Sequence, residues 1–453
     1  MPKPLVLAVD IGSSSVRSAL FTGDGRRLSR SAASRQYSIR YTADGGAELD
    51  PRVMLRATKS CVAETCGSQI AFAVSGSAFW HGLLGVDDKG KLLTPIYSWA
   101  DTRSADAAAE LREQFSERVI QLRTGCMLRA PFWPAKLRWL RCTDVARWVS
   151  PAAWIFERVF GLGLTSNSMA SGTGLYNLHQ RTWDEELCHA CGISTEQLGE
   201  IGDAGTNIFA AIGDGGASNL GSGADRLGKI AINIGTSAAV RIVTRNLKRL
   251  TRGFFKYVVD DERFVVGGAI SNAGNLHRWC MRELNIRDDR EAEKALTRAD
   301  AATDALTILP FWVQERAPTW PEDLRGAIVG LRPVTSAADI IRATTTSVFY
   351  RLAAIVDEIE VALGRADEII VSGGILHSPA SLAILADSLG RDIRICVEME
   401  SSLRGAAIYA LEHLGHEVTP LRRGKLVRHR PALAAKHRER RARQEDLERQ
   451  LSR

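Results

Sequence analysis

Two short segments constrain this chain more than any other feature. Val9-Asp10-Ile11-Gly12-Ser13-Ser14 and Ile232-Asn233-Ile234-Gly235-Thr236-Ser237 both read apolar, Asp or Asn, Ile, Gly, Ser or Thr, Ser. Apolar runs flank each of them: Leu5 to Val9 and Val16 to Phe21 around the first, Ile230 to Ile232 and Ala238 to Val243 around the second. The pattern predicts a strand, a tight turn and a second strand in both places. Gly12 and Gly235 lie half a chain apart in 453 residues, which predicts two duplicated α/β domains with a cleft between them. Such a turn offers backbone N–H groups and hydroxyls with no bulky side chain in the way. Two turns that face each other can hold a chain of phosphates from opposite sides, which suits a nucleoside triphosphate. The candidate phosphate-binding residues are therefore Gly12, Ser13, Ser14, Gly235, Thr236 and Ser237. Asp10, with Asn233 in its place beside the second turn, leaves one carboxylate for one divalent ion. No G-x-x-x-x-G-K-S/T is present, so the phosphate site is not a P-loop, and the glycines from Gly213 to Gly223 do not have dinucleotide spacing.

Composition narrows the class. With 45% apolar and 25% charged residues the chain is an ordinary globular one, and no apolar run approaches membrane length. The eight cysteines are scattered and no signal-peptide core opens the sequence, so the cytoplasm is the expected compartment. The net charge of +7 could point to nucleic acid, but residues 421–453 hold twelve Lys or Arg against four Asp or Glu. The rest of the chain is close to neutral. The basic character belongs to a tail that reads as a solvated helix or a disordered extension, and nucleic acid is not an expected partner. Cys188-His189-Ala190-Cys191 has the look of a metal motif, but no second cysteine pair stands at zinc spacing; Leu187, Cys188 and Cys191 instead make an apolar helical stripe.

One acid stands out on chemical grounds. Asp214 sits in Ile212-Gly213-Asp214-Gly215-Gly216, where the missing side chains let a substrate approach closely. A sugar hydroxyl is a poor nucleophile at neutral pH, and a carboxylate within hydrogen-bond reach can take its proton as attack proceeds. The alternative for Asp214 is a loop acid capping a helix that starts near Ala217. Trp80 and His81 follow a predicted strand at Ile70 to Val74, and Trp99 to Arg103 follows a strand-like stretch at Leu92 to Tyr97. Aromatic faces pack on sugar carbons while His, Asp and Arg bond hydroxyls, so these segments are candidates for a sugar pocket. An Asp101–Arg103 structural pair is the competing reading there. Arg129 and Lys136 are the cations nearest these segments and the candidates for holding an anionic group there. Gly373 and Gly374 close a strand-to-helix turn that would let a flat ring approach the backbone.

These residues together resemble the FGGY carbohydrate kinases, relatives of actin, hexokinase and the heat-shock chaperone ATPases, from about residue 4 to about 416. Within the family the likeness is to gluconate kinases, through Ser77-Ala78-Phe79-Trp80-His81-Gly82, Trp99-Ala100-Asp101-Thr102-Arg103, Gly213-Asp214-Gly215-Gly216-Ala217 and Glu315-Arg316-Ala317-Pro318. The resemblance implies two ribonuclease-H-like α/β domains, expected here at 1–222 and 223–420 with the basic tail at 421–453. It also implies ATP and Mg²⁺, substrate contacts from Trp80, His81, Asp101 and Asp214, Asp214 as base, and an adenosine site at Gly373 and Gly374. The expected activity is phosphorylation of a sugar acid, gluconate first. A xylulose, ribulose or other polyol kinase is the alternative, and a catalytically inactive sugar- and nucleotide-binding regulator is the alternative of another class. A homodimer is compatible with this reading. Ser166, Arg129 and Gln314 depart from the family pattern and bear on which sugar is taken.

Overall fold

The computed structural model describes residues 4–141, 144–247, 249–298, 305–321 and 324–452. Both predicted hairpins form. In the first lobe β1 (Leu5–Ile11), β2 (Ser15–Thr22) and β3 (Arg27–Gln36) run antiparallel, and β4 (Ala73–Ala78) and β5 (Ile212–Gly213) extend the sheet in parallel. The order is β5-β4-β1-β2-β3. The second lobe uses β6 (Lys229–Ile234), β7 (Ala238–Thr244), β8 (Phe255–Val258), β9 (Phe264–Ile270), β10 (Glu368–Ser372), β11 (Ile393–Ile395) and β12 (Leu426–Val427), in the order β8-β9-β7-β6-β10-β11-β12. Its inner five, β11-β10-β6-β7-β9, repeat the order and directions of the first sheet. Strands buried on both faces need continuous apolar runs, which is why Val6 to Val9 and Ile230 to Ile232 are uninterrupted by charge.

The first lobe's sheet carries α1 (Pro51–Cys66), and α2 (Asp214–Ser222) leaves β5 without an intervening loop. In the second lobe α3 (Ala337–Leu363) and α4 (Pro379–Leu389) pack on the sheet. Late in the chain, α5 (Ser401–His413) returns to the first lobe: Leu403, Ala406, Ala407 and Tyr409 share a core with β1 and β4. Its backbone touches that of α2. A Cβ on Gly405 would stand 1.8 Å from the Ala217 carbonyl oxygen, and one on Gly221 1.8 Å from that of Ser401. The helix that opens on Asp214 is thereby clamped from behind by the last third of the chain.

Three expectations need correction. The strand placed at Ile70 to Val74 begins at Ala73; Ile70 is 90% exposed, and only from Ala73 does the chain enter the core. Of Leu92 to Tyr97, Ile96–Tyr97 alone is strand. The basic tail is neither solvated all round nor detached. After β12 it forms α6 (Pro431–Leu451), which buries Ala434, His437, Gln444 and Glu448 against the second lobe. Arg351 Nη1 donates to Glu448 Oε2 at 2.5 Å, Gln444 Nε2 to the Ile308 carbonyl at 2.7 Å, and the Tyr350 hydroxyl lies 2.9 Å from His437 Nδ1. Charge composition alone misreads such a helix because its positive face stays wet while one polar stripe is buried with partners.

Candidate active site

A cavity of about 330 Å³ opens where the two lobes meet. Gly12, Ser13 and Ser14 line it from the first lobe and Ser237 from the second, together with Asp10, Trp80, His81 and Asp214. Gly235 and Thr236 face away from this space into a second cavity of about 930 Å³, so the second turn stands between the two.

Asp214 is the first residue of α2. The N-cap is Gly213, and no side chain caps the helix, so the capping role weighed for Asp214 is not the one it fills. Burial pushes its carboxyl up to about 6; the neighbouring Asp10 charge adds to the rise and Arg241 opposes it. The flanking glycines admit what covers the acid. A Cβ on Gly213 would lie 1.8 Å from the Trp80 ring, and one on Gly215 would meet both Trp80 and Arg241 Nε at 2.7 Å. Trp80 in turn donates its Nε1 hydrogen to the Ser168 carbonyl at 3.1 Å, so its face, not its N–H, belongs to the site.

Asp10, one residue before the end of β1, has both oxygens engaged. Ser77 Oγ donates to Oδ1, and Arg17 Nη2 donates to Oδ2 at 2.6 Å, while Arg17 Nη1 reaches Glu400 Oε2 at 2.6 Å. Among the described residues no cluster of three or more His, Cys, Asp or Glu could hold a metal. A single carboxylate with lone pairs to spare fits a Mg²⁺ that keeps its waters and is carried on nucleotide phosphates, rather than one caged by protein. Cys188 and Cys191 are buried in the apolar cluster that the stripe predicts.

His81 holds a left-handed backbone, φ 69°, and its Nδ1 lies 2.6 Å from the Gly172 carbonyl oxygen. A carbonyl only accepts, so Nδ1 carries the proton and Nε2 is left an acceptor. Burial drives its pKa down to about 3, which keeps the ring neutral. Trp99, Phe132, Tyr257 and Trp320 complete the aromatic walls.

Asp101 is not part of the cavity. The Ala47 amide and the Arg103 side chain and amide saturate its two oxygens, so it is the structural pair and not a substrate ligand. Neither proposed cation reaches the site. Arg129 is held by Glu117 at 2.8 and 2.9 Å. Lys136 is buried, with Nζ donating to the carbonyls of His81 and Ser98 at 2.7 Å each and Tyr97 at 3.3 Å. Ser166 caps the short helix Asn167–Ser171 and, like Gln314, lies outside the cavity lining.

Three arginines given no site role from the sequence do line it: Arg17, Arg241 and Arg316, the last from the Glu315-Arg316-Ala317-Pro318 block. The available signal was a lone charge in an apolar strand, as Arg241 is in Ala238–Thr244. Of the adenosine pair, Gly374 lines the larger cavity with Gly274, Leu276, Phe349 and Ile375. Gly373 does not. It takes φ 93° where its Cα passes over the Ile234 carbonyl, and a Cβ there would stand 2.4 Å from that oxygen.

A solved gluconate kinase from Lactobacillus acidophilus superposes with a TM-score of 0.91 at 24% identity, covering 99% of this chain and 98% of that one. The ligand-bound xylulose kinase from Lactobacillus acidophilus gives the same figures. The fold is thus the two-domain α/β architecture of the actin and hexokinase superfold, in the form used by sugar kinases. Models of the FGGY family of carbohydrate kinases match residues 5–225 with their N-terminal domain and 230–412 with their C-terminal domain. The chain belongs to this family and is a carbohydrate kinase. Gluconokinase of Bacillus subtilis (strain 168) is 27% identical to it, over 90% of this chain and 88% of that protein.

Proposed function

We propose that the protein transfers the γ-phosphoryl group of ATP to a hydroxyl of a sugar acid, with gluconate the leading acceptor, and that Asp214 is the general base. The observation that carries this reading is the Asp214 carboxyl, raised to about 6, in an interlobe cavity lined by Gly12, Ser13 and Ser14 of the first turn and Ser237 of the second. The acceptor lies against Trp80, His81 and Trp99 with its reacting hydroxyl at Asp214. The carboxylate takes the hydroxyl proton as the oxygen bonds to the γ-phosphorus and the bond to the ADP oxygen breaks. Hydroxyls and amides of Ser13, Ser14 and Ser237 hold the phosphates, and the base and ribose occupy the 930 Å³ cavity past Gly374. Asp10 would hold Mg²⁺ through its waters, and the ion, when bound, neutralises phosphate charge. The 27% identity to a gluconokinase supports the choice of acceptor.

Asp214→Asn is the test. Turnover falls by about a hundredfold to ten-thousandfold, the range for a positioned base, while nucleotide affinity is retained. Near-normal turnover overturns the assignment. A coupled ATP-consumption screen over gluconate, xylulose, ribulose and glycerol decides the acceptor.

A further inference from the structure

Arg17, Arg241 and Arg316 are compensated unequally. Arg17 has Asp10 and Glu400. Arg316 donates from Nε to Ser271 Oγ at 3.0 Å and from Nη2 to the Ile270 carbonyl at 2.9 Å, and its guanidinium lies 5.4 Å from the centre of the Trp99 ring. Arg241 feels the charge of Asp214 but makes no hydrogen bond or ion pair among the described residues. Its Nε is sealed from solvent with no acceptor among the described residues, although the side chain lies in the cavity wall against Gly215. Arg241 and Arg316 are close enough for the charge of one to disfavour that of the other. A guanidinium cannot discharge by losing a proton; Asp214 and Glu315 offset part of this charge, but among the described residues neither carboxylate hydrogen-bonds to either guanidinium, so an anion entering the cavity can still take the donors of Arg241.

Two anions enter this cavity in a kinase reaction, a phosphate and an acidic acceptor. The phosphate side already has a cation in Arg17, next to the first turn. Arg241 is set instead among Trp80 and Tyr257, the faces suited to sugar carbons, with Arg316 over Trp99. We infer that Arg241, supported by Arg316, receives the carboxylate of the acceptor, so that the cavity selects aldonic acids over neutral polyols of the same length. This rests on the reading that the 330 Å³ cavity takes the acceptor.

Calorimetric titration of the full-length protein with gluconate and with glucitol, which carries a hydroxymethyl group in place of the carboxylate, tests it. The wild type binds gluconate about ten- to a hundredfold more tightly, the range for charge-assisted hydrogen bonds. Arg241→Gln, which breaks no hydrogen bond, erases that preference, and Arg241→Lys retains part of it. Arg316→Gln weakens gluconate binding in the same direction and serves if Arg241→Gln does not fold. Equal wild-type affinities overturn the inference. So does an Arg241→Gln protein that keeps its gluconate preference and instead loses affinity for ATP, the outcome expected of a phosphate ligand. Arginine-dependent gluconate binding without phosphorylation sinks the kinase reading of the cavity and leaves the carboxylate receptor standing.

Discussion

The two turns share a backbone and differ in what stands beside them. Asp10 pairs in register with Arg17 on one neighbouring strand and Ser77 on the other; Asn233, its counterpart, pairs with Ala239 and Ser372. Both keep the serine: Ser77 donates to Asp10, and Asn233 Nδ2 donates to Ser372 Oγ at 3.0 Å. The charged residue and its cation change together. A carboxylate at the end of a buried strand is tolerable when a guanidinium and a hydroxyl satisfy it, and a neutral amide needs only the hydroxyl. One duplicated frame thus yields a lobe whose turn carries a charged pair beside a 330 Å³ cavity and a lobe whose neutral turn stands beside a 930 Å³ one.

The strongest way to break this contrast is to make the first turn like the second. Asp10→Asn is expected to lower kcat by about a hundredfold to a thousandfold, the scale of losing one preorganised electrostatic group. Steady-state kinetics at saturating ATP and acceptor check it, and turnover within threefold of wild type would mean that Asp10 serves stability alone.

A smaller effect comes from pH. The proposed base, Asp214, can take a proton only when ionised, and its carboxyl is raised to about 6. kcat/KM therefore climbs about tenfold per pH unit below that value and levels off above it. The same shift has a stability consequence of opposite sense. Ionising Asp214 disfavours the fold once the pH exceeds the unfolded carboxylate range, so Asp214→Asn melts higher than wild type at pH 8. The gain fades toward pH 4, where the folded protein already holds the proton. Thermal melts across that range read the difference.

The smallest expected effect is the reverse swap. Asn233→Asp places a carboxylate opposite Ala239, with Ser372 but no cation across the strand. It raises the KM for ATP about three- to tenfold by repelling the phosphates and costs about 1 kcal/mol of stability, since the position is only half-buried. Kinetics and urea unfolding read the two parts separately.

Much of this frame was legible because local rules govern it. Apolar strand runs broken by Gly-Ser turns have few other conformations, and a glycine-flanked acid is conspicuous wherever it falls. Trp80 and His81 were legible for the same reason: they close a strand and reach the cavity from its end. Asp101 was misread because nothing in its own segment shows that the Ala47 amide, 54 residues earlier, takes one of its lone pairs. Lys136 was misread likewise, since three carbonyls from other segments claim its ammonium group. Arg241 escaped notice, and Arg316 was legible as part of a motif but not as a cavity residue, because each reaches the cavity only when the second lobe is set against the first.

The sequence by itself determined the duplication, the strand–turn–strand units and the glycine-flanked setting of Asp214, because hydrophobic periodicity and glycine act over a few residues. Tertiary structure alone decided which charges share a cavity and which are spent on one another. Burial, desolvation and ion pairing depend on neighbours distant in the chain, and α5 returning from the last third of the chain to hold the helix of Asp214 is the plainest instance.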